Sequence, residues 1–516
     1  MIATPHPLAT AAGRDVLRRG GNAVDAAIAA NAVLCVVYPA SCGLGGDALW
    51  LVHDPKLRRT IAYNGSGRTA RAATPDLLPS GVVPRRGALT VTVPGAVRSW
   101  EEVARMHGTL ALDALLAEAE AYARHGFALT DVVAAYIETF AELLGADPAA
   151  QAIFLARGVP RPGDVLRNPD LADTLAAIRH GGAGAFYTGR TAEQIVKKLQ
   201  AGGNPMTLDD LAAQRTETMT PLALAWHGRE LLVHPPNSQG ACLSLALGML
   251  QADGGAEEPL WNHLAIEAVK RAFAIRDATF CDPDFHPSGI EAALAPDALR
   301  ALRATIDPQT ARADARAVDR GDTIAICVVD ENGLAVSLIE SLMMSFGSGL
   351  VADGTGVVLH NRGTYFAADP AAPNAFAGGK RPLHTLSPAM TLRDGRPEIV
   401  FGTMGGDGQP QIQLQFLHHL VERGLNVQEA LDAPRWVYAR HLIPGRPELA
   451  LEPAVLMESR FDPSLVAELE RRGHRVARCG PFENALGHAH AIVVDGARGT
   501  LAGGADPRAD SLALGL

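Results

Sequence analysis

The chain has 516 residues, 47% of them apolar, and carries a net charge of −10 at pH 7. Charge of that sign, with no basic cluster, excludes nucleic acid and anionic membranes as expected partners. No apolar run approaches the roughly 18–20 residues of a membrane span.

The opening Met1-Ile2-Ala3-Thr4-Pro5-His6-Pro7 lacks a basic segment leading into an apolar one, so no secretory signal is read and a cytoplasmic location is expected. Ala9 to Arg19 reads as a helix closed by Gly20-Gly21. Asn22 then caps a second helix, Ala23 to Val37, with Asp25 at its third position beside the free amides. Nearly every residue of that helix is small or apolar, so it is expected to be buried on most sides. Gly43-Leu44-Gly45-Gly46-Asp47 has neither the phosphate-loop nor the dinucleotide spacing and reads as a tight turn into a core strand, Ala48 to Val52.

Ala88 to Val93 has the β-branched pattern of a strand ending at Pro94-Gly95. Helices are expected over Ala96–His107, Leu110–His125, Leu129–Leu144, Asp170–His180, Thr191–Gln200 and Leu208–Ala213, the last opened by Thr207. Leu222–Trp226 and Glu230–His234 suggest a strand pair, followed by the loop Pro235 to Gly240 and helices Ala241–Leu250 and Leu264–Phe280. From about Ala292 to Asp322 the chain turns Ala/Arg/Asp-rich, and its second half, about 305–322, reads as a mobile connector.

Asp322 to Asp330 then becomes an apolar β-branched run, and Asn332-Gly333 joins it to a partner, Leu334 to Leu338, as a hairpin. Further strands are expected at Gly356–His360, Ala389–Leu392, Glu398–Gly402 and His490–Asp495, with helices at Ile412–Arg423, Asn426–Ala433 and Ser464–Arg472. Mixed helices and antiparallel strands fit two sheets covered by helices better than a parallel array.

Thr323 carries a chemical possibility beyond the hairpin. A threonine hydroxyl needs a base within hydrogen-bond reach. Cleavage of the Asp322–Thr323 bond would give Thr323 its own α-amine, with an ordinary pKa of about 7.7–8.0, as that base. Gly402 to Gly408, with Gly405-Gly406 at its centre, follows a strand and leads into a helix; its main-chain N–H groups can approach a substrate carbonyl as oxyanion donors. His488-Ala489-His490 places two imidazoles on one strand face without a third ligand at a telling spacing, and the six cysteines show no zinc spacing, so no metal and no cofactor is expected.

With these residues in view, the chain resembles the gamma-glutamyltranspeptidase family of N-terminal-nucleophile hydrolases. The resemblance rests on Gly20-Gly21-Asn22-Ala23-Val24-Asp25-Ala26-Ala27, Gly43 to Gly46, Val93-Pro94-Gly95, Phe186-Tyr187 with Gly189, and Asp209-Asp210-Leu211. It continues through Pro235 to Gly240, Gly347-Ser348-Gly349, Lys380 to Leu383 and Ser387-Pro388. It implies an α+β fold, a four-layer αββα sandwich built jointly by a large chain 1–322 and a small chain 323–516 after self-cleavage. It further implies Thr323 as nucleophile, Ser341 as the hydroxyl that orients it, and Gly405 and Gly406 as oxyanion donors. A dimer of such two-chain units is an assembly it allows.

The departures bear on substrate. The family's large-chain arginine for the glutamate head group is replaced by Ser66. Its amino-group ligands appear as Met343, Arg362 and Tyr365, and its paired serines as His384-Thr385. The segment 374–380 is too short for the family's lid loop. An ammonium bound here would be left unpaired, whereas Arg362 can take a carboxylate, with His384 or Thr385 helping. The leading expectation is therefore hydrolysis, with water as acceptor, of a small carboxylate-bearing amide of the oxamate type. A gamma-glutamyltransferase or glutathione hydrolase, a cephalosporin-type acylase and an unprocessed inactive homologue are the alternatives.

Overall fold

The structure is a computed structural model and describes residues 1–251, 256–312, 321–439 and 453–516. Its core is two antiparallel sheets face to face. The first has seven strands in the order Leu512–Leu514, Ile2–Thr4, Asp322–Val329, Ala335–Met343, Asp47–Asp54, Arg59–Gly65 and Glu217–Met219. The second has six, in the order Thr500–Ala505, Ala489–Asp495, Arg396–Thr403, Ala389–Arg393, Arg229–Val233 and Leu222–Trp226.

The two-residue period of the strand decides the layers. Along Asp322–Val329, Ile324, Ile326 and Val328 join the core under the helices Pro7–Arg18 and Ala23–Val37. Ala325, Cys327 and Val329 face the other way, into small clusters with Val400 and Ile492 of the second sheet and Leu386 just before it. Thr323 shares their parity and sits at the strand's beginning. The sheets come closest at Gly402, where a Cβ would lie 2.7 Å from Ile339 Cδ1 and 3.2 Å from Ala325 Cβ. Helices Ala241–Leu250, Glu258–Thr279 and Gln409–Leu417 cover the second sheet and complete four layers.

Local chemistry accounts for most element ends. Asn22 accepts from the amides of Val24 and Asp25, and the Asp25 carboxylate accepts from the Asn22 amide, a reciprocal cap that starts the buried helix. Asp330 binds the amides of Asn332 and Leu334 and also that of Ala23, tying the hairpin turn to the same helix start. Only Gly333 of the turn has positive φ, at 84°; the carboxylate of Asp330 replaces the paired positive φ values expected of Asn-Gly.

Three expectations fail. Ala88–Val93 is not a strand: Ala88–Thr90 is a single 3-10 turn, and Asn204 Nδ2 takes the carbonyls of Ala88 and Val91 that a ladder would have used. The helix expected over Leu129–Leu144 is two, Asp131–Thr139 and Ala141–Gly145, broken at Phe140. Of Gly356–His360, Val357–Val358 pairs with Val351–Ala352 and Leu359 makes a single bridge to Gly45, so no five-residue strand forms. Strands Ile2–Thr4 and Arg59–Gly65 and helix Pro148–Phe154 went unread. Of the connector 305–322, residues 313–320 lie outside the described residues. Before them, Ile306 is buried, Asp307 O accepts from His263 Nε2 at 2.8 Å, and Ala311 N donates to Arg472 O at 2.7 Å. No helix among the described residues is long and apolar enough to cross a membrane.

Candidate active site

Asp322 and Thr323 lie within one continuous strand, and both are buried. The neighbouring strand Ala335–Met343 runs in register as far as the pair Glu340–Ile324, then bulges, so that Met343 and not Leu342 faces Asp322. The bulge turns the Ser341 hydroxyl toward the Asp322–Thr323 peptide bond. Thr323 Oγ donates to Ser341 Oγ at 3.2 Å, and Ser341 Oγ donates to the carbonyl oxygen of Asp322 at 2.5 Å. The Met343 amide donates to the same Ser341 oxygen at 2.7 Å, which leaves the hydroxyl proton for the Asp322 carbonyl. Met343 has φ of 79°, the left-handed value this crowded bulge demands.

The Gly405-Gly406 turn is next to this bond. A Cβ on Gly321 would lie 3.3 Å from Gly406 Cα. Gly405 has φ of 128° and Gly406 of 55°; the first lies outside the reach of ordinary side chains. The Gln239 side-chain amide donates to Gly406 O and to Thr385 O, each at 2.8 Å, joining the turn to the other half of the site. Arg276 ion-pairs with Asp407 and donates to Gln239 Oε1 at 2.7 Å, and Tyr365 O–H donates to Asp407 at 2.9 Å. The turn therefore rests on a buried polar frame.

Arg362 is the outlier of that frame. Its guanidinium is wholly buried, yet only Nη1 is used, donating to Thr385 Oγ at 2.8 Å. Nε and Nη2 have no hydrogen-bond partner among the described residues. Burial lowers its pKa to about 10, so it stays charged at neutral pH. The carbon of its guanidinium stands 5.8 Å from the centre of the Tyr365 ring. Behind it, His384 Nδ1 accepts from Leu386 N, so its Nε2–H donates to Asp47 at 3.1 Å. Burial, with Arg362 close by, holds His384 well below its usual range and therefore neutral. Burial raises the Asp47 carboxyl to about 7 against the pull of Arg362.

The structure thus gathers Asp322, Thr323, Ser341 and Met343 on two strands, with Gly405 and Gly406 alongside. It gathers Arg362, Tyr365, His384 and Thr385 around one buried guanidinium. Arg68 is held instead by Asp282, Asp284 and Glu217, and Ser66 by Asn64. His488 and His490 are buried and kept neutral, with pKa values lowered to about 3 and about 4 by burial. Asp47, Gln239 and Arg276 escaped the reading of the sequence. Asp47 and Gln239 do fall in or beside segments singled out there, the Gly43–Gly46 turn and the Pro235–Gly240 loop.

Comparison with known proteins agrees with this geometry. Residues 9–516 match the family model described as gamma-glutamyltranspeptidase. The Glutathione hydrolase-like YwrD proenzyme of Bacillus subtilis (strain 168) is 39% identical over 100% of this chain and 98% of its own. The Oxamate amidohydrolase proenzyme of Klebsiella pneumoniae is 38% identical over 100% and 98%. The crystal structure of cephalosporin acylase from Bacillus halodurans superposes with a TM-score of 0.90 at 34% identity, over 99% of this chain and 94% of that one. Fold and neighbours define an N-terminal-nucleophile hydrolase, an enzyme that cleaves amides. The chain belongs to the gamma-glutamyltranspeptidase family.

Proposed function

We propose that this hydrolase cuts itself between Asp322 and Thr323 and then hydrolyses small carboxylate-bearing amides, oxamate among them, through an acyl-enzyme on Thr323. The observation that carries the first part is the row Thr323 Oγ, Ser341 Oγ, Asp322 O: nucleophile, proton donor and scissile carbonyl in sequence. Thr323 Oγ attacks the Asp322 carbonyl carbon, the C–N bond breaks, and the proton ends on the new amine. Water then hydrolyses the ester to an Asp322 carboxylate and a free Thr323 hydroxyl. In turnover the α-amine takes the hydroxyl proton and returns it to the leaving amine. The Gly405 and Gly406 amides face the developing oxyanion, and Ser341 orients Oγ.

The substrate reading rests on Arg362. Two unpaired donors on a buried cation leave a fork that a carboxylate fits, with Thr385 Oγ alongside. Met343, Arg362 and Tyr365 offer no acid and no amide to a cationic α-amine, which argues against a standard gamma-glutamyl substrate. The name of the Klebsiella relative agrees with this reading, and that of the Bacillus halodurans structure keeps larger acyl amides in view.

The test is intact mass followed by a substrate series. Purified protein is expected as two pieces, 1–322 and 323–516, with oxamate hydrolysed faster than gamma-glutamyl anilide or glutaryl amides. A single uncut chain with full amidase activity overturns the proposal.

A further inference from the structure

Self-cleavage makes Asp322 the first acyl group this enzyme carries. The ester formed on Thr323 Oγ after the C–N bond breaks is the same functional group, on the same oxygen, as the acyl-enzyme of turnover. The uncut chain therefore shows one acyl group already seated. Before cleavage its carbonyl oxygen is on Ser341 and not yet on the glycine amides, and two carbons separate that carbonyl from its side-chain carboxylate.

That carboxylate is clasped. Tyr136 O–H is shared between Asp322 Oδ1 at 3.0 Å and Asn484 Oδ1 at 2.9 Å, and Ser345 O–H donates to Asp322 Oδ2. Arg86 backs the clasp, donating to the carbonyls of Ser345, at 2.6 Å, and Gly347, with its charge acting on Asp322. The clasp and the Arg362 fork use different side chains: Tyr136 and Ser345 bond Asp322, whereas Arg362 bonds Thr385.

We propose that Tyr136 and Ser345, backed by Arg86, once the ester is hydrolysed and Asp322 released, form a carboxylate subsite for acyl chains whose acid is separated from the reacting carbonyl by two carbons. The substrates so defined are amides of four-carbon dicarboxylic acids, with succinamate as the simplest. This rests on the reading of Thr323 as nucleophile and adds chain length to it; oxamate, whose acid is attached directly to the reacting carbonyl, is left to Arg362. Two hydroxyls already placed on a carboxylate, with a guanidinium holding the loop behind them, need little rearrangement to receive another.

The experiment uses the processed enzyme with oxamate, succinamate and glutaramate, each at saturating and limiting concentration. Succinamate is expected to be hydrolysed better than glutaramate, and succinate to compete with it. Tyr136→Phe and Ser345→Ala are each expected to lower kcat/KM for succinamate about tenfold or more, mainly through KM, as for loss of a hydrogen bond to a charged group. Oxamate turnover by the same cleaved variants is expected to change less than about twofold. No succinamate turnover, no competition by succinate, or equal losses on both substrates overturns the proposal. Mass measured before any substrate is added separates the two readings: a chain still joined at 322–323 refutes the nucleophile itself, whereas lost discrimination in cleaved enzyme refutes only the clasp.

Discussion

The hydroxyl of Ser341 bonds both the Thr323 hydroxyl, at 3.2 Å, and the carbonyl of the peptide bond that Thr323 would attack, at 2.5 Å. One short side chain thus holds nucleophile and electrophile together before any bond is cut. Removing such a donor from a developing oxyanion costs about 10²–10³ in rate. Ser341→Ala is expected to slow appearance of the 323–516 fragment by about that factor, with Ser341→Thr restoring it. Densitometry of the fragments over time checks this.

Thr323→Ala is expected to remain one polypeptide without amidase activity, and Thr323→Ser to be cleaved and active. Intact mass and an oxamate assay decide it, and unchanged turnover in the alanine variant would refute Thr323 as nucleophile.

Arg362→Gln removes the buried fork. KM for oxamate is expected to rise about tenfold or more, since a charge-assisted pair is lost, while a neutral amide of similar size loses little. Equal effects on both would assign Arg362 a structural role only.

The Asp47 carboxyl, raised to about 7 by burial, is neutral on the acid side of that value. As pH rises through about 7 it becomes an anion in the field of Arg362 and competes for it. KM for oxamate is therefore expected to climb above pH 7, and to stay flat in Asp47→Asn. The same shift sets a stability trend: because the folded value lies above the unfolded one of 3.8, the contribution of Asp47 is full below about pH 4 and lost as pH rises through about 7. KM against pH for the two proteins checks the first point and urea midpoints check the second.

Arg276→Met leaves the buried Asp407 carboxylate without its cation beneath the glycine turn. Breaking a buried pair this way costs about 3–5 kcal/mol. The urea midpoint of the uncut Thr323→Ala chain is expected to fall accordingly when Arg276→Met is added. Activity of the cleaved enzyme is expected to fall as well, because Arg276 also bonds Gln239, which holds Gly406.

Local signals were strong where the chemistry is local. Asn22 with Asp25, Gly333, and the largely apolar run Ala23–Val37 each announce their element, because cap, turn and burial depend on residues within a few positions. Ala88–Val93 misled for the opposite reason. Its β-branched pattern reports burial, but whether a buried segment joins a ladder depends on what lies beside it, here Asn204 and loops. Thr323 looked like any strand residue until the glycine turn and the family motifs were set beside it. Arg362 with Thr385 was named from the family's departures, but the Asp322 clasp left no mark in the sequence, since Tyr136 is 186 residues from Asp322.

By itself the sequence determined the family and the hydroxyl at position 323, because these are statements about which side chains exist and in what order. Only the tertiary structure decided that Ser341 touches the Asp322 carbonyl, that Arg362 keeps two donors unpaired among the described residues, and that the Asp322 carboxylate sits on two hydroxyls. Pairing and desolvation are properties of neighbours in space, and here strands, helices and loops far apart along the chain supply them.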